Sequence, residues 1–497
     1  MFYFLGIDIP QVITGVDRAM FNRLKIFQNN NQPAKLLYFN YYPNLFRNAK
    51  IFGVQNDIKY LYDYYHEVPS TFSRESINWL DYFEIDKGYT TLQVNQSNDY
   101  NLFQNGKIVA YARFYDNTLK ELEFMIYYDS SLRKIRMDYY DSRGFKSSEV
   151  YYDHNENPIF QNILSLTGEI KVQRYYDSDN IDKIKHVIVK IHHGEELIFQ
   201  SEHAFLAFTL ESIYKDGDYF IIDRPLEMVP VFNLMDTSIP ASVFIHSVHY
   251  DDMYVENPTI QYTFQQLFNS LSRFNALIVS TYEQKKDLEA LTQNKIKIFN
   301  IPVGYQTQVQ SKNNLPKKHQ QRLISIARFE NGKQHEHQFR LINKLKQEIP
   351  HISLHLYGYG SLRSHFQQTI QEMSLEEHVF IHEFEPDLTE VYNKADLSIF
   401  TSKFEGFALT ILESIAHNTP VIAYDIKYGP RTIIKHNING YLIEPNNEEM
   451  LYTCVRDYLN NNMLQDKLCS QCFDSIIPFN LDSISEKWMT FTQSDIY

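Results

Sequence analysis

The chain has 497 residues, 43% of them apolar and 22% charged, enough to bury two or three cores of ordinary size. Its formal net charge of −14 argues against nucleic acid as the main partner and against a basic membrane-docking face. No run approaches about eighteen apolar residues, so no transmembrane segment is expected, and three cysteines are too few for a disulfide framework.

In chain order, MFYFLGIDIP reads as a strand over 2–9 rather than a signal peptide, since it lacks a basic region and a long apolar core. The expected location is therefore cytoplasmic. A loop with Pro10, Thr14 and Gly15 follows, and Ala19, Met20, Arg23, Leu24 and Phe27 at helical spacing predict a helix over 16–29. Gly15 thus opens a helix just after a strand. LLYFNY over 36–41 reads as a second parallel strand.

Residues 80–200 differ in kind. The tripeptide (Phe/Tyr)-Tyr-Asp recurs at Phe114-Tyr115-Asp116, Tyr127-Tyr128-Asp129, Tyr139-Tyr140-Asp141, Tyr151-Tyr152-Asp153 and Tyr175-Tyr176-Asp177. The central tyrosines are 13, 12, 12 and 24 residues apart, and Ile163-Leu164-Ser165 fills the wide gap as a degraded copy. A unit of this length is one strand plus one turn, with the aspartate entering the turn. The expectation is an antiparallel β-meander inserted into a first α/β domain. Its aromatic face serves either packing alone or an extended acceptor or self-association, and both readings stay open.

From about 204 the α/β pattern resumes, with a helix over 205–214 and strands over 219–223, 241–245 and 276–280. The 241–245 strand runs into His246-Ser247-Val248-His249-Tyr250-Asp251-Asp252, where open α/β sheets place their ligands. We read His249 first as a hydrogen-bond donor to a sugar hydroxyl or a leaving diphosphate, ahead of a loop histidine with no role. A metal site ranks last, because no third ligand stands at helical spacing. The polar stretch through 321 is the best linker candidate.

A second α/β domain begins with a strand over 323–327. Arg328 and Lys333 stand five residues apart on the next strand-to-helix loop, as a diphosphate leaving group requires of its charged donors; a solvated basic loop is the alternative. Gly358 and Phe384 follow strands over 352–357 and 379–382, where a flat base could stack or meet backbone groups. Cys469-Ser470-Gln471-Cys472 stands alone and reads as coincidence. Residues 483–492 read as a terminal amphipathic helix.

The densest stretch is 401–430. Phe404-Glu405-Gly406-Phe407 forms a glycine turn after a strand over 397–400, then Leu409, Ile411, Leu412, Ile415 and Ala416 show helical spacing, and a short strand starts at Val421. Such a turn leaves N–H groups at the positive end of a helix, a ready phosphate site. Glu413 follows Glu405 by eight residues, about two helical turns along a similar face. Carboxylates repel phosphate, so both glutamates are read as sugar-hydroxyl ligands flanking a diphosphate; an ordinary βαβ unit with two solvated glutamates is the other reading.

Together Glu405…Glu413 within FEGFALTILE, Ala327-Arg328…Lys333 and Thr14-Gly15 resemble the retaining glycosyltransferases of family 4, which have the GT-B fold. That resemblance implies an α/β protein with two Rossmann-like domains facing a cleft. The domains would be 1–78 with 203–306 on the acceptor side, a meander insert over 79–202, a nucleotide-sugar domain over 307–480, and a terminal helix over 481–497 returning to the first domain. It implies that Arg328 and Lys333 hold the diphosphate, while Gly406 and the amides of Phe407, Ala408 and Leu409 meet phosphate and sugar. Glu405 would hold the sugar and Glu413 the ribose hydroxyls, Gly15 would approach the donor, and His249, with His246, would lie beside the transferred sugar.

ITGVDRAMFNRLKIF, His-Ser-Val-His-Tyr, IPVGY, YGYG and AYDIKYGP, with the insert, are further similar to bacterial enzymes that put N-acetylglucosamine on serines of serine-rich and serine–aspartate-repeat adhesins. Relatives with the same insert modify wall teichoic acid. The family's first loop often carries Gly-Gly where this chain has Thr14-Gly15. The resemblance implies transfer from a UDP-GlcNAc donor, with no cofactor or metal, and work as a homo-oligomer or with a partner glycosyltransferase. A non-catalytic, acceptor-binding GT-B subunit is the rival of a different class, which the joint presence of Arg328, Lys333, Glu405 and Glu413 disfavours. Asp177-Ser178-Asp179 lies in a repeat turn, which argues against an Asp-x-Asp metal site.

Overall fold

The computed structural model describes residues 1–69, 72, 77–191, 195–252, 255, 258–306, 320–385 and 387–494. These form two compact units, Met1–Ile13 with Ala34–Pro240, and Thr14–Pro33 with Ala241–Tyr497. Most of the expected linker, 307–319, lies outside the described residues.

In the first unit the strand Phe2–Gly6 pairs in parallel with Ala34–Tyr38 on one side and Tyr219–Ile222 on the other, and Ala34–Tyr38 pairs onward with Ile58–Tyr60. Near-continuous apolar runs suit strands covered on both faces, and Phe4, Leu5, Leu36, Leu37, Ile221 and Ile222 are fully buried. The strands expected over 2–9 and 36–41 end sooner, at Gly6 and Tyr38.

The repeats build a ten-stranded antiparallel sheet whose strands follow one another in sequence order, from Thr90–Gln93 to Glu196–Phe199. Each repeat element has a visible task. The aspartate closes the turn: Oδ1 of Asp116, Asp129, Asp141, Asp153 and Asp177 accepts the N–H two residues on, at 2.8–2.9 Å. Beside the paired aromatics and the degraded copy Ile163-Leu164 the register slips by one, because Glu123, Ile135, Ser147, Ile159 and Lys171 are left without a partner across the ladder, as is Lys185 beside Tyr175-Tyr176. From Glu123 to Lys171 these residues stand twelve apart, so there the β-bulges keep the period of the sequence, each adding twist to the sheet, while the outer slips at Val109 and Lys185 fall out of it. Tyr151, Phe160, Tyr175 and His186 face one another across four strands, with ring centroids 4.7, 5.8 and 4.4 Å apart.

Alternate turns have different fates. Those after Lys107–Phe114, Lys134–Asp141 and Pro158–Leu164 bond the α/β part of the unit. Arg47 pairs with Glu121 at 2.5 Å, Ser142 N donates to Pro43 O at 3.0 Å, and Leu166 N donates to His66 O at 2.9 Å. Arg143 reaches both oxygens of Asp63, at 2.7 and 3.1 Å, as well as Asp141. The turns at the other end, beginning at Asp129, Asp153 and Asp177, make their described hydrogen bonds within the meander.

The second unit holds the parallel strands Ala241–Ile245, Ala276–Val279 and Lys297–Asn300. The helix Gly15–Asn29 carries Arg23, which lies over the Phe244 and Trp488 rings. The terminal helix Leu481–Thr492 seats Trp488 5.7 Å from Phe27 and Phe491 5.0 Å from Phe299. A six-stranded parallel sheet runs Val379–His382, Ser353–Tyr357, Arg322–Ile326, Leu397–Phe400, Val421–Tyr424, Gly440–Ile443. Its order reverses between Arg322–Ile326 and Leu397–Phe400, and the chain leaves those neighbours in opposite directions. At such a point open sheets have a crevice beyond the strand ends.

Candidate active site

The two loops at that reversal are the ones bearing Arg328, Lys333 and Glu405. After Arg322–Ile326 the chain passes Arg328, which is exposed, and makes one tight turn at Asn331–Lys333. Gln334, in left-handed conformation at φ 51°, then redirects it into the helix His335–Leu345. The turn is tied to the neighbouring strand end. Thr401 Oγ1 donates to the carbonyls of Lys333 and Gln334, and Lys403 N donates to Gly332 O at 2.8 Å. These anchors set the Lys333 ammonium against Glu405, and the two form an ion pair with side chains only 17% and 15% exposed. A cation so placed, with few other partners, is strong bait for an anionic ligand.

The loop after Ser353–Tyr357 joins the same wall. Gly358 passes so close to Ala327 that a Cβ would stand 2.0 Å from its carbonyl oxygen. Phe329 N donates to Tyr359 O at 2.8 Å, and Phe384 meets the Tyr359 ring edge-on at 6.0 Å. Burial pushes the Tyr359 phenol up, Arg328 counters this and Asp17 adds to it, so the Arg328 loop and the start of the Gly15–Asn29 helix share one electrostatic environment. That start is fixed by a capping box in which Thr14 and Asp17 exchange hydrogen bonds. Gly15 has open space where a Cβ would be.

Gly406 is required for a different reason: a Cβ there would stand 2.0 Å from the His246 carbonyl oxygen, so the turn is pressed on the loop after Ala241–Ile245. Leu409 packs on Gly304 in the same way. Ala408 is held left-handed at φ 73° and ψ 66°, a conformation that strains a non-glycine residue by about 1–3 kcal/mol. It turns the chain into the helix Leu409–Ala416, which opens without a side-chain cap. The uncapped start leaves main-chain N–H groups at the positive end of the helix without a side-chain acceptor.

One expectation is corrected here. Glu405 and Glu413 are not two helical turns apart on one face, because the helix begins only at Leu409 and Glu405 lies in the turn before it. The carboxylates have separate partners: Glu405 meets Lys333, whereas Glu413 accepts from Arg18 at 2.8 Å and from the Tyr392 hydroxyl at 3.0 Å.

The two histidines also differ. His246 stacks on Phe244 at 4.2 Å, with planes 5° apart. His249 is fully buried, and neither ring nitrogen has a described hydrogen-bond partner. Burial pulls its pKa down to about 4, so the ring is neutral at pH 7 and has one N–H to give and one lone pair to receive. Its ring lies 6.0 Å from that of Tyr428, whose hydroxyl donates to Asp287, and Lys427 pairs with Asp287 at 2.6 Å. Arg18, Tyr392, Tyr428 and Asp287 escaped sequence reading. Arg18 carried a signal, being one helical turn after the glycine start, and Tyr428 lies within AYDIKYGP. Cys472 is buried in the apolar cluster beside Ile415 and Phe479, which explains it as a core residue.

Residues 306–472 match the family model described as glycosyl transferases group 1, and this segment contains Arg328, Lys333, Glu405 and Glu413. The protein is a glycosyltransferase, and its fold is GT-B. The solved pneumococcal O-GlcNAc transferase GtfA in complex with UDP and GlcNAc superposes with a TM-score of 0.87 at 19% identity, covering 99% of this chain and 98% of that one. Two relatives are similar in sequence along nearly their full length. The poly(ribitol-phosphate) alpha-N-acetylglucosaminyltransferase of Staphylococcus aureus is 23% identical, over 97% of each chain. The GtfA subunit of the UDP-N-acetylglucosamine–peptide N-acetylglucosaminyltransferase of Streptococcus agalactiae is 24% identical, over 98% of this chain and 97% of the relative. Among the described residues no helix is long and apolar enough to cross a membrane.

Proposed function

We propose that the protein transfers N-acetylglucosamine from UDP-GlcNAc, with retention, to serine hydroxyls of a serine-rich or serine–aspartate-repeat adhesin. The observation that carries the transfer reading is the Lys333–Glu405 pair at the sheet's reversal point, beside a strained turn whose N–H groups open a helix. In this reading the diphosphate displaces Glu405 from Lys333 and draws in Arg328 and the amides of Phe407 to Leu409. Glu405, once released, accepts sugar hydroxyls. Glu413 takes the ribose, Gly358 and Phe384 border the base, and Gly15 lines the donor. His249, being neutral, serves as a hydrogen-bonding partner of the transferred sugar rather than as an acid. Glu405 is then engaged by the sugar hydroxyls, and this reading assigns no carboxylate as nucleophile. The serine then attacks on the face the diphosphate leaves, and a departing phosphate oxygen takes its proton. A partner subunit is part of this reading, since a similar enzyme is named as a subunit.

The second reading, transfer to a polyol phosphate, is favoured by the Staphylococcus aureus relative matched over 97% of each chain. The net charge of −14 weighs against it, because a polyanion then needs a local basic groove. UDP release is measured with no acceptor, with a Ser-Asp repeat peptide, and with polyribitol phosphate, each at low and high salt. Stimulation by the peptide, little affected by salt, is expected. Salt-sensitive stimulation by polyribitol phosphate alone selects the second reading, and no UDP release with either acceptor, nor slow donor hydrolysis in their absence, removes both.

A further inference from the structure

We propose that Arg18 is a positioning residue that fixes the plane of the Glu413 carboxylate so that it selects a vicinal diol, the ribose of the donor nucleotide. This rests on the reading of Glu413 given above and adds to it a residue from a distant part of the sequence. Glu413 is held at both oxygens: Arg18 donates to Oε1 at 2.8 Å and the Tyr392 hydroxyl to Oε2 at 3.0 Å. Both holders are themselves fixed. Arg18 lies in the first turn of a helix whose start is locked by the Thr14–Asp17 capping box. Tyr392 is 1% exposed and stacks on His417 at 5.1 Å, and His417 in turn donates to the Glu413 carbonyl at 2.7 Å.

A carboxylate offers about four lone-pair sites, two on each oxygen. With one site on each oxygen occupied, each oxygen keeps an acceptor site for a ligand hydroxyl. Two hydroxyls on adjacent carbons can fill both at once, whereas a single hydroxyl fills only one. That selectivity depends on the plane being held from both ends. Tyr392 alone leaves the group free to turn about its last torsion, and Arg18 prevents this. A purely structural ion pair, tying the Gly15–Asn29 helix to the Leu409–Ala416 helix, would have no such dependence on the ligand's hydroxyls.

The test is calorimetric binding of UDP and of 2′-deoxy-UDP to wild type, Arg18→Ala and Arg18→Met, the last keeping bulk without charge, with a melting curve for each. Wild type is expected to favour UDP by about tenfold, the worth of one hydrogen bond to a charged group. Both variants should stay folded and lose most of that preference, the ratio falling towards one, whatever happens to overall affinity. A full preference retained in either folded variant overturns the role of Arg18 and leaves the functional reading intact. Absence of any preference in wild type overturns the assignment of Glu413 to ribose, and the proposal with it.

Discussion

Lys333 and Glu405 neutralise each other, and that pairing sets how each responds to replacement. Either residue alone is the wrong charge for the whole donor: the lysine suits the phosphates and the glutamate suits the sugar. Lys333→Ala or Glu405→Ala should therefore lower transfer by at least about 10²–10³-fold, as for loss of a preorganised charge-stabilising donor, with the protein still folded. Near-normal turnover of either purified variant would remove both from the site. His335, next along the chain, acts on stability. It is buried beside Phe329 and Phe366 with neither ring nitrogen partnered, and burial pulls its pKa down to about 3. Its folded pKa lies below the unfolded value near 6.5, so above that pH it contributes nothing to pH dependence. As pH falls from 6.5 the unfolded chain takes up the proton first, and stability falls by about 1 kcal/mol per pH unit. His335→Met should flatten the decline between pH 6.5 and 5 by that amount in urea unfolding, and an unchanged slope would show that the ring titrates normally.

At the scale of elements, the meander is held by its turns unequally. Arg143 bonds Asp141, which is 1% exposed, and both oxygens of Asp63, and it also lies 3.8 Å over the Phe46 ring. Arg143→Ala leaves those carboxylates without their cation and should destabilise the first unit by about 3–5 kcal/mol in denaturant unfolding. Asp153→Ala, in a turn at the other end, loses only an exposed turn closure and should change stability far less than Arg143→Ala does. Equal effects would contradict the division of labour between the two ends. The repeat itself was legible because it states its physics locally: aromatic pairs for the strand, aspartate for the turn. Which turns anchor was not legible, since Asp141-Ser142-Arg143-Gly144 differs from its sisters only in residues whose partners are distant in sequence.

Across the whole molecule, the strands and helices of both α/β parts were readable from apolar runs and glycine turns, and the loops bearing Arg328, Lys333 and Glu405 followed from strand ends. What sequence could not show was long-range pairing. Glu413 looked like a companion of Glu405 because eight residues fit two helical turns, but a left-handed Ala408 breaks the helix between them. Its real partner, Arg18, is 395 positions away in the chain. His249 was readable as a loop histidine after a strand, but not as a fully buried, neutral one, because burial depends on Tyr428 and Phe268 arriving from elsewhere.

The alternation of anchored and free turns also imposes a rule of parity on the insert. Each repeat carries the chain from one end of the sheet to the other, so gaining or losing a single repeat would deliver every later strand to the wrong end. The turn at Ser165, bonded to the His66 segment, would then point away from it, and the helix Glu202–Ile213 would start on the far side. Length variation in this insert is therefore tolerated only by whole hairpins, two repeats at a time, with additions confined to the free end.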